Sequence, residues 1–260
     1  MKGVLTLLLI CALALVVAPA ALADWPHDVK WDQLEPCSMW IWQSYINEQE
    51  SLAVADDFLC SETGYITDIE FNGYCQDIQA LYGFRITFWS DVPATTNEAS
   101  HPGELLDETV VYKTCPCDPL GRGWKVIEQG ADFARFKANL FAEDWFVQQA
   151  GTVYWIGIQG VLTGTESFYW KFRDISAPTW GDDAVTLGLA EPTDEWAHLA
   201  WTSIDFLGII PTAYHGTLPP ECLGSADMSF RLTGIVPEPA TLTLVGIGAI
   251  LLGFIRTRRK

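Results

Sequence analysis

Apolar residues recur at every second position in four stretches of the chain. Thr67, Ile69 and Phe71 alternate with Asp68, Glu70 and Asn72, and Phe84, Ile86 and Phe88 alternate with Arg85, Thr87 and Trp89. Phe168, Trp170 and Phe172 alternate with Tyr169, Lys171 and Arg173, and Met228, Phe230 and Leu232 with Ser229, Arg231 and Thr233. A β-strand turns successive side chains to opposite faces, so this alternation predicts half-buried antiparallel strands. The stretch TVYWIGIQG, 152 to 160, is apolar on both faces and predicts a central strand covered on each side. Turns are expected at Asn72-Gly73, at Asp91-Val92-Pro93 and at His101-Pro102-Gly103, where Pro followed by Gly suits the centre of a type II turn. One helical candidate remains, Ala131 to Gln149, and its apolar spacing is uneven. Many short strands and few helices predict an all-β fold, an antiparallel β-sandwich of jelly-roll-like form.

The two ends read differently. Residues 1 to 23 have the parts of a secretory signal: Lys2, an apolar run from Val4 to Val17, and a small-x-small site at Ala21-Leu22-Ala23. Cleavage is expected between Ala23 and Asp24. A lipid-modified cysteine would follow a small residue at the end of the apolar run, whereas Cys11 follows Ile10 in its middle. At the other end, residues 240 to 255 carry no charge and are slightly fewer than the roughly 17–25 a spanning helix uses. A buried core helix would need a polar face, and this run offers only Thr and Gly. Arg256, Arg258, Arg259 and Lys260 follow at once and favour the cytoplasmic side, which leaves the bulk of the chain outside. The expectation is a single C-terminal transmembrane helix over 240–255 with a basic tail.

Pro237-Glu238-Pro239, the apolar run and the basic cluster stand in that order at the end of the chain. This arrangement resembles the PEP-CTERM sorting signal over residues 237–260, a tail that an exosortase is thought to cut near Pro-Glu-Pro. The resemblance implies an exosortase-type processing enzyme as a partner, membrane attachment before processing, and delivery to the cell envelope or its extracellular matrix. Two prolines fix φ around Glu238 and hold the motif as an extended segment outside helix and central strand.

Residues 24 to 236 are long enough for one domain with its own core, and no linker, low-complexity tract or repeat divides them. The whole chain has 15 Lys and Arg against 33 Asp and Glu. Setting aside Lys2, the four basic tail residues and Glu238 leaves 10 against 32, a surface that repels nucleic acid and anionic polymers. Six cysteines lie outside the signal: Cys37, Cys60, Cys75, Cys115, Cys117 and Cys222. An even number in an exported chain predicts up to three disulfides of open connectivity. Cys115-Pro-Cys117 has one spacer residue where zinc pairs use two to four, so bridges are favoured over a metal.

VADDFLCSETGYITDIEFNG, GFRITFWSDVPA, SHPGELL, TVYWIGIQ, GDDAV and DMSFRLTG together resemble an uncharacterised domain of secreted, PEP-CTERM-tagged proteins of environmental bacteria, over most of residues 31 to 235. Its signatures are strands and turns, so the resemblance firms the fold and implies no activity. No Gly-x-Ser-x-Gly, His-Glu-x-x-His or phosphate loop is present, and His27, His101, His198 and His215 are scattered. No catalytic residue, metal ligand or cofactor site is therefore assigned. Asp56-Asp57 and Asp182-Asp183 are hard oxygen ligands suited to calcium, but adjacent aspartates are also ordinary turn residues. Among the 12 tryptophans, Trp155 and Trp170 are expected in the core, and Trp25, Trp40, Trp42, Trp180 and Trp196 are candidates for exposure. The chain reads as an exported, non-enzymatic envelope or matrix protein. A carbohydrate-binding module for extracellular exopolysaccharide is the alternative, and a polysaccharide hydrolase the third reading.

Overall fold

In a computed structural model of the chain, the described residues are 28–34, 36–96, 99–115, 117, 118, 121–130, 133–173, 184–189, 202, 203 and 227–236. Among the described residues, fifteen strands form two sheets. The eight-stranded sheet is centred on β5 (Gly64–Cys75) and contains β1 (Asp28–Gln33), β2 (Pro36–Gln43), β8 (Gly123–Gln129), β9 (Ala134–Asn139), β10 (Phe146–Gln148), β12 (Phe168–Arg173) and β15 (Phe230–Ile235). The seven-stranded sheet is centred on β11 (Val153–Leu162) and contains β3 (Tyr45–Ile46), β4 (Ser51–Leu59), β6 (Leu81–Val92), β7 (His101–Tyr112), β13 (Val185–Leu189) and β14 (Thr202–Ser203). The main ladders are antiparallel, and among the described strands β3 pairs in parallel with β11 and antiparallel with β4.

The sheets pack face to face, because the alternating apolar residues of both point into one core. Phe84 of the seven-stranded sheet meets four rings of the other: Phe71 at 4.8 Å, Phe136 at 5.1 Å, Phe168 at 5.2 Å and Trp124 at 5.3 Å between centroids. All five are fully buried. TVYWIGIQG is the central strand its composition predicts, and Trp155 and Trp170 are both 0 % exposed. They belong to different clusters. Trp170 sits in the inter-sheet core, whereas Trp155 packs with Trp89, Ala55 and Val185 on the opposite face of the seven-stranded sheet.

Across the outer face of the eight-stranded sheet, opposite charges alternate from strand to strand. Asp32 pairs with Arg231 at 2.9 Å, Arg231 with Glu70 at 3.6 Å, and Glu70 with Lys137 at 3.5 Å, and each pair is directly opposite in register. Burial would lower the Lys137 pKa, but Asp68 and Glu70 carry it above the ordinary value. Such cross-strand pairs penalise a one-residue slip, which would set these charges opposite apolar residues such as Ile69, Phe71, Phe230 and Leu232.

Three sequence expectations are corrected. Ala131–Gln149 holds no helix among its described residues beyond one 3-10 turn, Ala142–Asp144; it forms β9 and β10. Ala134, Phe136 and Ala138 are buried and Arg135, Lys137 and Asn139 half-buried, a strand alternation that pairing with β5 and β8 selects over helix. Asn72-Gly73 is no turn but the interior of β5. There the Asn72 amide donates to Leu34 O and Ser229 Oγ, and a Cβ on Gly73 would lie 2.5 Å from Phe168 Cε2, so only glycine leaves room for that ring. His101-Pro102-Gly103 opens β7, where an edge strand tolerates the missing proline donor.

Candidate functional site

The described surface has one place where large aromatic side chains stand together in the open. Tyr82 is 60 % and Tyr112 51 % exposed, with ring centroids 5.1 Å apart and planes at 69°. A fault in a ladder puts Tyr82 there. Along β6 and β11, Gly83 pairs with Val161 and Leu81 with Leu162, so Tyr82 is passed over. This bulge turns Tyr82 out of the alternation while Leu81 and Phe84 both stay in the core. Tyr112 ends β7 directly opposite Gly83, and a Cβ at that glycine would lie 3.5 Å from Tyr112 Cδ1 and 3.1 Å from Val111 O.

The two rings border a shallow groove of about 390 Å³ completed by Gln79, Ala80, Leu81, Lys113 and Thr163. Its floor is firm. Trp124, 0 % exposed, donates from Nε1 to Tyr82 O at 3.5 Å, and Lys113 Nζ lies 5.4 Å above its ring centroid. The groove offers aromatic faces, an amide, an ammonium and a hydroxyl. Such groups are chemically able to stack on and hydrogen-bond to a flat ring carrying hydroxyl groups.

Of the aspartates considered for calcium, Asp56 is engaged inside the fold. Asp56 is 0 % exposed and accepts from Gln33 Nε2 at 2.6 Å, from the Met228 backbone N–H at 2.8 Å and from the Asp57 N–H at 3.1 Å. Gln33 and Met228 belong to the eight-stranded side and Asp56 to β4, so the carboxylate latches one sheet to the other. Burial, then the charges of Asp227 and Asp57, push its pKa well above the ordinary carboxylate range. Among the described residues no group of three or more His, Cys, Asp or Glu is placed to hold a metal ion. Asp182-Asp183 lies outside the described residues, as do Trp25, Trp180, Trp196 and the side chain of Trp40. Trp42 is half-buried, its Nε1 donating to Thr186 Oγ1 at 3.2 Å.

Of the cysteines, Cys115 and Cys117 stand with their sulfurs at bonding distance in an exposed loop, and Cys60 and Cys75 are free thiols. Burial pushes the Cys60 pKa up to about 12 and that of Cys75 up to about 11, so neither forms a thiolate near neutral pH. Cys60 follows β4, in the turn before β5, and Cys75 is the last residue of β5, so the 12-residue strand separates them. At about 3.3 Å per residue that is roughly 40 Å, far beyond the roughly 7 Å limit for a bridge. The Cys37 side chain and Cys222 lie outside the described residues. Alkylation after denaturation, followed by peptide mapping, should find Cys60 and Cys75 as thiols and Cys115 joined to Cys117. A bridge ending at Cys60 or Cys75 would contradict this placement.

Residues 29–233 match a family described as a domain of unknown function, DUF7901. The chain belongs to the DUF7901 family. Behind the DUF7901 domain, residues 236–260 match the PEP-CTERM protein-sorting motif, the mark of an exported protein handled by an exosortase. No curated protein and no solved structure matches the chain. The signal cleavage site at Ala23 and Asp24, the motif residues Pro237, Glu238 and Pro239 and the apolar run 240–255 lie outside the described residues. Among those described, no helix is long and apolar enough to cross a membrane.

Tyr82 and Tyr112 escaped the sequence reading, which looked for exposed aromatics among the tryptophans. A signal for Tyr82 was present. Leu81 and Phe84 are apolar positions three apart in a stretch that otherwise alternates, which marks a slipped register between them.

Proposed function

We propose that this protein is a non-enzymatic component of the cell envelope or extracellular matrix, held in the membrane by residues 240–255 in transit and cut near Pro237-Glu238-Pro239 by an exosortase-type enzyme. Its DUF7901 domain is then a jelly-roll-like sandwich that remains outside the cell as the mature product. The observation that carries this reading is the sorting motif at 236–260 standing directly behind a domain that ends at 233. The spacing is mechanically apt. Ile235 is 4 % exposed and paired with Tyr65, so the domain is tied into its sheet two residues before Pro237. Val236 already stands outside β15, and Pro237 has no N–H with which to resume that ladder.

The tail supplies the stop. Moving its four basic residues through hydrocarbon costs roughly 2.5–3.5 kcal/mol each, while the uncharged run is at home there. Replacing Glu238 with Ala should therefore leave insertion intact and trap the uncut form in the membrane, whereas deleting 256–260 should weaken the stop. Membrane partition and apparent mass of the two variants, in a host with an exosortase, check this division. A Glu238→Ala protein that matures and leaves the membrane like the parent would make the tail a plain anchor.

A further inference from the structure

We infer that Tyr82 and Tyr112 form a stacking corner for one ring of a neutral, soluble extracellular polysaccharide chain. The inference deepens the carbohydrate-binding alternative and takes from the proposed export only the ligand's presence around the mature domain. Three observations select this occupant. The first is that both rings are open to solvent while the Tyr82 backbone is tied to the buried Trp124, whose Nε1 donates to Tyr82 O at 3.5 Å and whose ring packs against Phe84. An exposed aromatic pair whose rings already hold each other edge to face gains contact area with little loss of side-chain freedom when a flat apolar face lies on it, and the C–H face of a pyranose is such a face.

The second observation is the angle. Rings inclined at 69° make a floor and a wall, where coplanar rings would make a strip. A floor and wall receive one sugar ring of a flexible chain from its face and its edge. A crystalline polymer surface is flat and meets such a corner at one ring only, so the geometry favours a soluble chain.

The third is charge. Lys113 is the sole cation lining the groove, and the domain around it carries 10 basic against 32 acidic residues. Summed over the surface, that excess repels a polyanion and lowers its local concentration. The groove's polar groups then serve as hydroxyl partners: the Gln79 amide, the Lys113 ammonium and Thr163 Oγ1, which donates to Ala80 O at 3.4 Å and keeps its lone pairs for the ligand. The volume of about 390 Å³ lies at the small end of ligand sites, as befits one or two sugar rings in an open groove.

The test is affinity electrophoresis of the purified protein through gels containing laminarin, dextran or galactomannan, with alginate gels as the polyanion and sedimentation with crystalline cellulose as the flat surface. The expected result is retardation in at least one neutral gel, none in alginate and no sedimentation with cellulose. Combining Tyr82→Ala with Tyr112→Ala should weaken the retardation at least about tenfold, while Tyr82→Phe and Tyr112→Phe keep most of it, because the stacking faces survive. Both positions are exposed, so the thermal midpoint of each variant should stay near that of the parent. No retardation in any neutral gel, retardation in alginate, sedimentation with cellulose, or a double alanine variant retarded like the parent would each overturn the inference. Export is read separately by cell fractionation, so its failure and that of the groove are told apart.

Discussion

Phe84→Ala should cost about 3–5 kcal/mol of folding stability, the range for truncating a fully buried phenylalanine. Phe84 is the ring through which the seven-stranded sheet reaches Phe71, Phe136, Phe168 and Trp124 of the other sheet. Removing it opens a cavity whose walls are rings on four different strands, so collapse from one side cannot close it. Phe84→Leu keeps part of the volume and should cost less. Urea denaturation of the three proteins measures the difference. A loss under about 1 kcal/mol for Phe84→Ala would mean that the sheets are joined elsewhere.

Asp56→Ala should be the second large loss, roughly 3 kcal/mol or more, because the amide of Gln33 and the N–H groups of Met228 and Asp57 lose their acceptor in a buried place. Asp56→Asn should cost less and should change the pH dependence. The folded-state pKa of Asp56 is raised, by burial first and then by Asp227 and Asp57. Its favourable contribution is therefore complete below the unfolded value near 3.9 and is lost as pH rises through the folded value. Stability of the parent minus that of Asp56→Asn should accordingly fall as pH rises from about 4. Denaturant midpoints across that range decide it, and a constant difference would show that Asp56 titrates alike folded and unfolded.

How far these features could be read in advance depended on how local their cause was. The strands β5, β6, β12 and β15 were legible because the residues that make each alternate belong to that strand alone. β9 was not, although Ala134, Phe136 and Ala138 alternate with Arg135, Lys137 and Asn139. The alternation is short, two of its apolar members are alanines, and only pairing with β5 and β8 decides in its favour. Asn72-Gly73 has the chemistry of a turn and is a strand because Phe168 from a distant segment needs the space over Gly73.

The site divides in the same way. The sorting tail is contiguous, and its order of prolines, apolar run and basic cluster could be read directly. The groove is assembled from residues 79–82, 112–113 and 163, and Tyr82 meets Tyr112 only through the pairing of β6 with β7. The latch at Asp56 joins residues 33, 56 and 228. Adjacent aspartates suggested a calcium ligand because nothing in the sequence shows which backbone donors will surround a carboxylate.

The most direct test of the central claim is the intact mass of the protein recovered from outside the cells of a host carrying an exosortase, compared with the same host after deletion of that enzyme. The expected result is an outside form that lacks residues 240–255 and the basic tail, and, after deletion, a full tail retained with the membrane. Protein outside both hosts with residues 240–260 still attached would contradict it.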